Sequence, residues 1–361
     1  MTRMEDDWFD VNYTDESGYT HFHAACRFNC PEIVRGFLEH GQDPNCIWPE
    51  TGDSALHIVL KYAGSYSDIM EILLRGGADP NLANKEGLTP LHIIADNAIY
   101  CKELELFFQI NDELNQLVQI NARDKLGNTP IHLALECGDE QEIMEIMLRR
   151  GASQNLANDE GSTPLHIICK RNIYYCDDFA ESFFKINDEL NQQVQVDARD
   201  KLDRTPLQWA VVNFLPYAVE SLLNHGADLS RFVFPTSSQF DHRFEYIENI
   251  QTKLVLACDY LTVIECLEKR GYELDRSEVL IIMKLFDKYK LFEEIENLDQ
   301  SWYDDEEFAK EARKEMLNYI VICASCDYSE PRVARLGGRT AERRLCLLMH
   351  TQDCFQIDLK N

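Results

Sequence analysis

Apolar residues along this chain come in short bursts of helical period. A compact burst such as Leu91-His92-Ile93-Ile94 or Ile131-His132-Leu133-Ala134 predicts a short helix covered by its neighbours. A second stretch follows with apolar residues at helical spacing, as at Ile69, Ile72 and Leu73 or Ile143, Ile146 and Met147, and predicts an outer helix with one buried face. The polar residues between carry helix punctuation. Thr89, Thr129 and Thr163 suit helix N-caps, and Pro90, Pro130 and Pro164 suit the first helical position, where a missing N–H costs nothing. Gly77 and Gly151 follow the second helix, where a left-handed residue closes it. Asp79, Asn81 and Asn155 then favour a turn. Each unit reads helix, turn, helix and hairpin-like loop, and none can bury its core alone.

The pattern recurs. Thr89-Pro90-Leu91-His92, Thr129-Pro130-Ile131-His132 and Thr163-Pro164-Leu165-His166 are nearly identical, and looser copies start at Thr20, Ser54 and Thr205. The starts are spaced by 34, 35, 40, 34 and 42 residues, a period that marks stacked repeats. These tetrads resemble the ankyrin repeat, which implies an all-α solenoid of stacked helix-turn-helix units. Six units run from about Asp15 to Leu229. The expected divisions are an acidic lead at 1–14, repeats at 15–230, a connecting loop at 231–250, a degenerate terminal repeat or cap at 251–275, an acidic helical extension at 276–318 and a tail at 319–361.

A larger block is also duplicated. Residues 84–134 recur at 158–210, sharing Ile-Asn-Asp-Glu-Leu-Asn-Gln at 110–116 and 186–192 and Ala-Arg-Asp-Lys-Leu at 122–126 and 198–202. The extra residues of the longer units lie around Asn111–Gln119 and Asn187–Gln195, and predict a longer outer helix or a bulging loop, either a contact surface or a tolerated insertion. This block, with Phe232-Val233-Phe234-Pro235-Thr236, residues 268–274 and residues 301–308, resembles the ankyrin proteins of parasitoid wasps that end in a PRANC domain, the F-box-like module also seen in poxvirus ankyrin proteins. The resemblance covers about residues 1–318. No PRANC-like Leu-Pro pattern follows Met316, so the chain resembles a member whose effector end is missing or replaced.

Charge narrows the choice of partner. With 35 basic against 63 acidic residues the net charge is −28, which repels phosphate backbones and anionic lipid and favours a protein partner with a basic surface. Neither a signal peptide nor a run of the ~20 apolar residues needed to span a bilayer is visible. Thirteen scattered cysteines without framework spacing point to reduced thiols. The expected state is a monomer in the cytoplasm, with the nucleus left open.

Catalytic and metal motifs are nearly missing. No phosphate-binding Gly loop, Gly-x-Ser-x-Gly or His-Glu-x-x-His occurs, so no enzyme activity and no cofactor are expected. The histidines at 23, 57, 92, 132 and 166 recur once per unit, which fits a role in the fold. Asp124 and Asp200 fit turn chemistry. Cys323-x-x-Cys326 with Cys346, His350 and Cys354 has zinc-type ligands but only half the spacing, and unpartnered tail cysteines are the plainer reading. The ten carboxylates of 293–315 read first as a solvated helix face and second as a lure for a basic partner.

What remains is a non-catalytic scaffold that binds another protein. The resemblance implies that partners meet the turn tips and the exposed ends of the inner helices along a concave face. The tip positions are Glu50, Thr51 and Asp53; Lys85, Glu86 and Leu88; Lys125, Leu126 and Asn128; Asp159, Glu160 and Ser162; Lys201, Leu202 and Arg204. The inner-helix positions are Lys61, Tyr62, Asp96, Asn97, Glu136, Cys137, Lys170 and Arg171. The alternative that the resemblance implies is a substrate receptor of a ubiquitin ligase.

Overall fold

The computed structural model describes residues 13–62, 67–96, 101–137, 141–171, 179–244 and 250–288. Asn97, the carboxylate run at 293–315 and the cysteine cluster from Cys323 lie outside those residues. The chain divides into two compact units, the first reaching Pro206 and the second starting at Leu207.

In the first unit helices come as inner and outer partners. The pairs are α1 (His21–Arg27) with α2 (Pro31–Glu39), α3 (Ala55–Tyr62) with α4 (Ser67–Arg75), α5 (Pro90–Asp96) with α6 (Cys101–Glu113), α7 (Pro130–Cys137) with α8 (Gln141–Arg149), and α9 (Pro164–Lys170) with α10 (Phe179–Glu189). Inner helices pack on inner helices and outer on outer, each against the next in the chain. Leu56, Ile58, Leu91, Ile131 and Leu165 are buried there, each side chain contributing about 1.5–3 kcal/mol. The outer helices bury one face only, Ile69, Met70, Leu73 and Leu74 on α4 and Ile143, Met144, Met147 and Leu148 on α8.

Helix ends follow the local code. Thr20 caps α1 by accepting the N–H of His23, while the His23 ring accepts the N–H of Thr20, a capping box with histidine in the place of the usual Glu or Gln. Outer helices of the shorter units close on Gly41, Gly77 and Gly151; those of the longer units close on Asn115 and Asn191, also left-handed at φ 53° and 54°. The extra residues lengthen the outer helix: α6 has 13 residues and α10 has 11, against 9 in α4 and in α8. The hairpin-like loops form no strand among the described residues; only the isolated bridges Thr14–Thr20 and Ile47–Ser54 occur.

The second unit comprises α11 (Pro206–Val212) from Leu207 on, α12 (Pro216–Asn224), a 3-10 turn at Leu229–Arg231, α13 (Ser237–Phe244), α14 (Ile250–Lys269) and α15 (Arg276–Lys288). Residues 231–250, expected as a connecting loop, contain α13, which places Phe240 in the core. Across 251–275, expected as a degenerate terminal repeat or cap, α14 runs unbroken for 20 residues, with no Gly or Pro to divide it. Phe214, Phe234, Phe240, Leu256, Tyr260, Ile264, Ile282 and Leu285 form one core cluster.

Candidate functional site

The tip candidates of the first unit are positioned by the turns between repeats, and the others by the ends of the inner helices. Asn84, Asp124, Asn158 and Asp200 open successive turns, and each Oδ1 accepts the backbone N–H groups two and four residues on, at 2.8–3.0 Å. Such Asx geometry closes a turn without a strand partner. The turns are then joined edge to edge. The N–H of Lys85 donates to the Thr51 carbonyl at 3.0 Å, Lys125 to Glu86 at 2.9 Å, Asp159 to Leu126 at 2.9 Å and Lys201 to Glu160 at 2.8 Å. Gly87 permits one such approach: its φ is +78°, and a Cβ there would stand 2.9 Å from the Lys125 nitrogen.

The tetrad histidines tie each inner helix to the following turn. Nδ1 of His57, His92, His132 and His166 accepts the N–H of Ser54, Thr89, Thr129 and Thr163 at 3.1–3.2 Å. Nε2 lies 2.8–3.2 Å from the carbonyl oxygens of Leu88, Asn128, Ser162 and Arg204. A backbone N–H only donates, so Nδ1 carries no proton and Nε2–H is the donor. His23 does the same between Thr20 and Cys46. Burial lowers the pKa of all five against the help of these carbonyls, and holds the rings neutral.

A third ladder is built of asparagines, of which the sequence singles out only Asn81 and Asn155, as turn residues. Asn45, Asn81, Asn121 and Asn155 each clasp the backbone of the next unit. Their Nδ2 groups donate to the carbonyls of Gly77, Leu117, Gly151 and Gln193 at 2.7–3.2 Å. Their Oδ1 atoms accept the N–H of Asp79, Gln119, Ser153 and Gln195 at 2.7–2.8 Å.

With the turns so held, three expected surface residues prove to be part of the fold. Asp53 is buried; its carboxylate accepts from Lys61 Nζ at 2.8 and 2.9 Å and from Asn84 Nδ2 at 2.7 Å. Burial pushes that carboxyl up, but the bonds from Lys61 and Asn84 outweigh it and hold the pKa below the ordinary value. Asn128 is buried, its Oδ1 accepting from Asn158 Nδ2 at 2.8 Å while its carbonyl serves His92. Arg171 is also buried, its guanidinium 3.9 Å from the centroid of the Phe179 ring. Asp53 and Asn128 point inward because each bonds a polar group of the stack, and Arg171 does so against an aromatic ring. Among the other tip positions named, Ser162 is likewise buried, bonded by Lys170 Nζ at 2.7 Å.

The remaining candidates meet solvent. Glu50, Lys85, Glu86, Asp96, Lys125, Leu126, Asp159, Glu160, Lys201 and Leu202 are exposed, and Thr51, Lys61, Leu88, Lys170 and Arg204 are half-buried. Tyr62 is 48% exposed, its ring capped by Arg27 at 4.8 Å. Asp96, Glu136 and Lys170 lie on the successive inner helices α5, α7 and α9. Burial raises the pKa of Glu136, and Asp96, Asp124 and Glu160 add to the rise while Lys170 opposes it. Carboxylates gather around Glu136, while Lys61, Lys85, Lys125, Lys201 and Arg204 make the face as a whole mixed in charge. Among the described residues no group of three or more His, Cys, Asp or Glu side chains is placed to hold a metal ion, and no helix is long and apolar enough to cross a membrane.

Comparison with known proteins agrees with the repeat architecture. Notch homolog protein 1 of Cricetulus griseus is 28% identical over 157 residues, 43% of this chain and 6% of that protein. An ankyrin repeat protein of fowlpox virus is 29% identical over 145 residues, 38% of this chain and 40% of that protein. The chain thus spans less than half the length of either relative. Among solved structures, the ankyrin repeat domain of Bcl-3 is 21% identical with a TM-score of 0.48, covering 60% of this chain and 90% of that one. The family described as "Ankyrin repeats (3 copies)" matches residues 7–84, 56–158, 98–188 and 139–232, well over half of the sequence, and the chain belongs to the ankyrin-repeat family.

Proposed function

We propose that this protein is a non-catalytic scaffold that binds a partner protein through the concave face formed by the inner-helix ends and turn tips of its first compact unit. One observation carries the reading. The backbone of each turn is fixed by bonds to the next, while the side chains of Lys85, Glu86, Asp96, Lys125, Leu126 and Lys201 project into water. A rigid backbone presenting exposed side chains lowers the ordering cost of binding. The face is mixed in charge, with carboxylates at Asp96, Glu136 and Glu160 among the lysines, and its acidic part fits a partner with a basic surface; such complementarity governs specificity and association rate. The scaffold acts as a monomer in the cytoplasm, with the nucleus left open; Cys26 and Cys169 are buried thiols in no disulfide, in keeping with a reducing compartment. Affinity purification with quantitative mass spectrometry, comparing the native chain with a Tyr62→Ala/Asp96→Ala/Glu136→Ala variant of unchanged circular dichroism, tests the assignment. Selective loss of a partner supports it, and full retention of every partner sinks it.

A further inference from the structure

The row of turn tips carries a pattern of its own, and its meaning rests on the binding role proposed above. In each turn the third residue offers its carbonyl to the N–H of the next turn, so Thr51, Glu86, Leu126 and Glu160 occupy one register along the edge, and Leu202 holds the same place in the following turn. From Glu86 the row alternates acid, leucine, acid, leucine. The carboxylate side chains of Glu86 and Glu160 are 69% and 79% exposed, and Leu126 and Leu202 are 67% and 62% exposed.

These side chains do little for the fold. The ion pairs of the two glutamates are long, 3.6 Å from Glu86 to Lys125 and 3.8 Å from Glu160 to Lys170, and solvated pairs of that kind contribute little to stability. A turn favours polar residues, so a leucine with most of its surface in water is not a choice that the turn makes. The internal duplication sharpens this point. Several residues kept in both copies have structural duties: Glu113 and Glu189 bind Arg75 and Arg149 at 2.6 and 2.7 Å, and Asn115 and Asn191 adopt the left-handed turn. Leu126 and Leu202 are kept without one, while the two residues after them diverge from Gly127-Asn128 to Asp203-Arg204.

We propose that this row is a docking edge for a protein segment whose basic side chains alternate with apolar ones. Glu86 and Glu160 receive the cations, and Leu126 and Leu202 pack against the apolar side chains as twin anchors. Binding energy concentrates in a few such buried contacts, and the alternating charges set the register. A purely acidic row would take cations in any register; the leucines between them remove that freedom.

Selection of a random-peptide phage library on the full chain supplies the test. The expected peptides combine Arg or Lys with Leu, Phe or Trp. They should bind about tenfold more weakly to a Leu126→Ser/Leu202→Ser variant and to a Glu86→Gln/Glu160→Gln variant, each with native circular dichroism. Peptides without basic residues, peptides that bind both variants as tightly as the native chain, or the failure of any peptide to enrich would overturn the docking edge. Peptides weakened only by Asp96→Asn/Glu136→Gln would also overturn it while leaving the broader binding face standing.

Discussion

In the first compact unit, neighbouring helix pairs are joined by polar bonds that recur once per repeat; the second gathers its helices around aromatic rings. His57, His92, His132 and His166 bond the next turn, Asn81, Asn121 and Asn155 bond the next outer edge, and the turns bond one another. In the second unit Phe214 stacks on Phe240 at 5.6 Å and meets Tyr260 edge-on at 4.7 Å, while Phe232 meets Tyr272 at 5.2 Å. The first arrangement spreads stability over many equal contacts between nearest neighbours, as in any linear array. The second concentrates it in one cluster. A partner-binding edge suits the first, because its polar ladders fix the backbone and leave outward side chains free to vary.

Acid should break this contrast most strongly, since it acts on all five histidines at once. Their folded-state pKa values lie below the ordinary 6.5, so between those values the unfolded chain binds more protons than the folded one. Their contribution is therefore complete above about pH 6.5 and declines as the pH falls through the folded values. Amide exchange corrected for its intrinsic rate, compared at pH 7 and pH 5, should show protection falling in α3–α10 with little change in α14 and α15. Equal loss in both units would mean that the histidines do not govern acid stability.

The aromatic cluster is the next target. Phe240→Ala removes a fully buried ring that contacts Phe214, Phe234 and Tyr260, and should cost the second unit about 3–5 kcal/mol in urea unfolding. A loss below ~1 kcal/mol would show that the cluster is not what holds α12–α15. Within the ladders, Asn155→Ala deletes bonds to Gln193 and Gln195 and should lower stability by about 1–3 kcal/mol, with the defect seen as faster exchange at the Gln195 amide. Smallest of all, Lys85→Ala, Lys125→Ala and Lys201→Ala should each change stability by no more than about 0.5 kcal/mol, because these side chains are exposed. A larger loss at any of them would give that lysine a structural duty and remove it from the binding face.

The repeats, the two helices of each unit and the closing role of Gly77 and Gly151 could be read directly from the sequence. Caps and left-handed turns are decided within a few residues, so residue type and spacing suffice. The same holds for the exposed tips: Lys85, Glu86 and Lys125 sit where the tetrads place them. Legibility ended where the unit pattern ended. Phe240 gave no sign that residues 231–250 would fold into a helix, since only the cluster around Tyr260 rewards it.

Tertiary structure alone decided which candidates face inward and which residues join the units. Asp53 and Glu86 are both acidic and both lie in turns, yet Asp53 is buried by Lys61 and Asn84 while Glu86 stands in water. The clasping asparagines look like ordinary turn residues until the next unit, 30 to 40 residues away, is stacked against them. Turn geometry is a property of adjacent residues and is written in their order; burial and polar satisfaction belong to neighbours brought together by the stack, and a polar residue's type says only that it needs a partner, not where that partner will be.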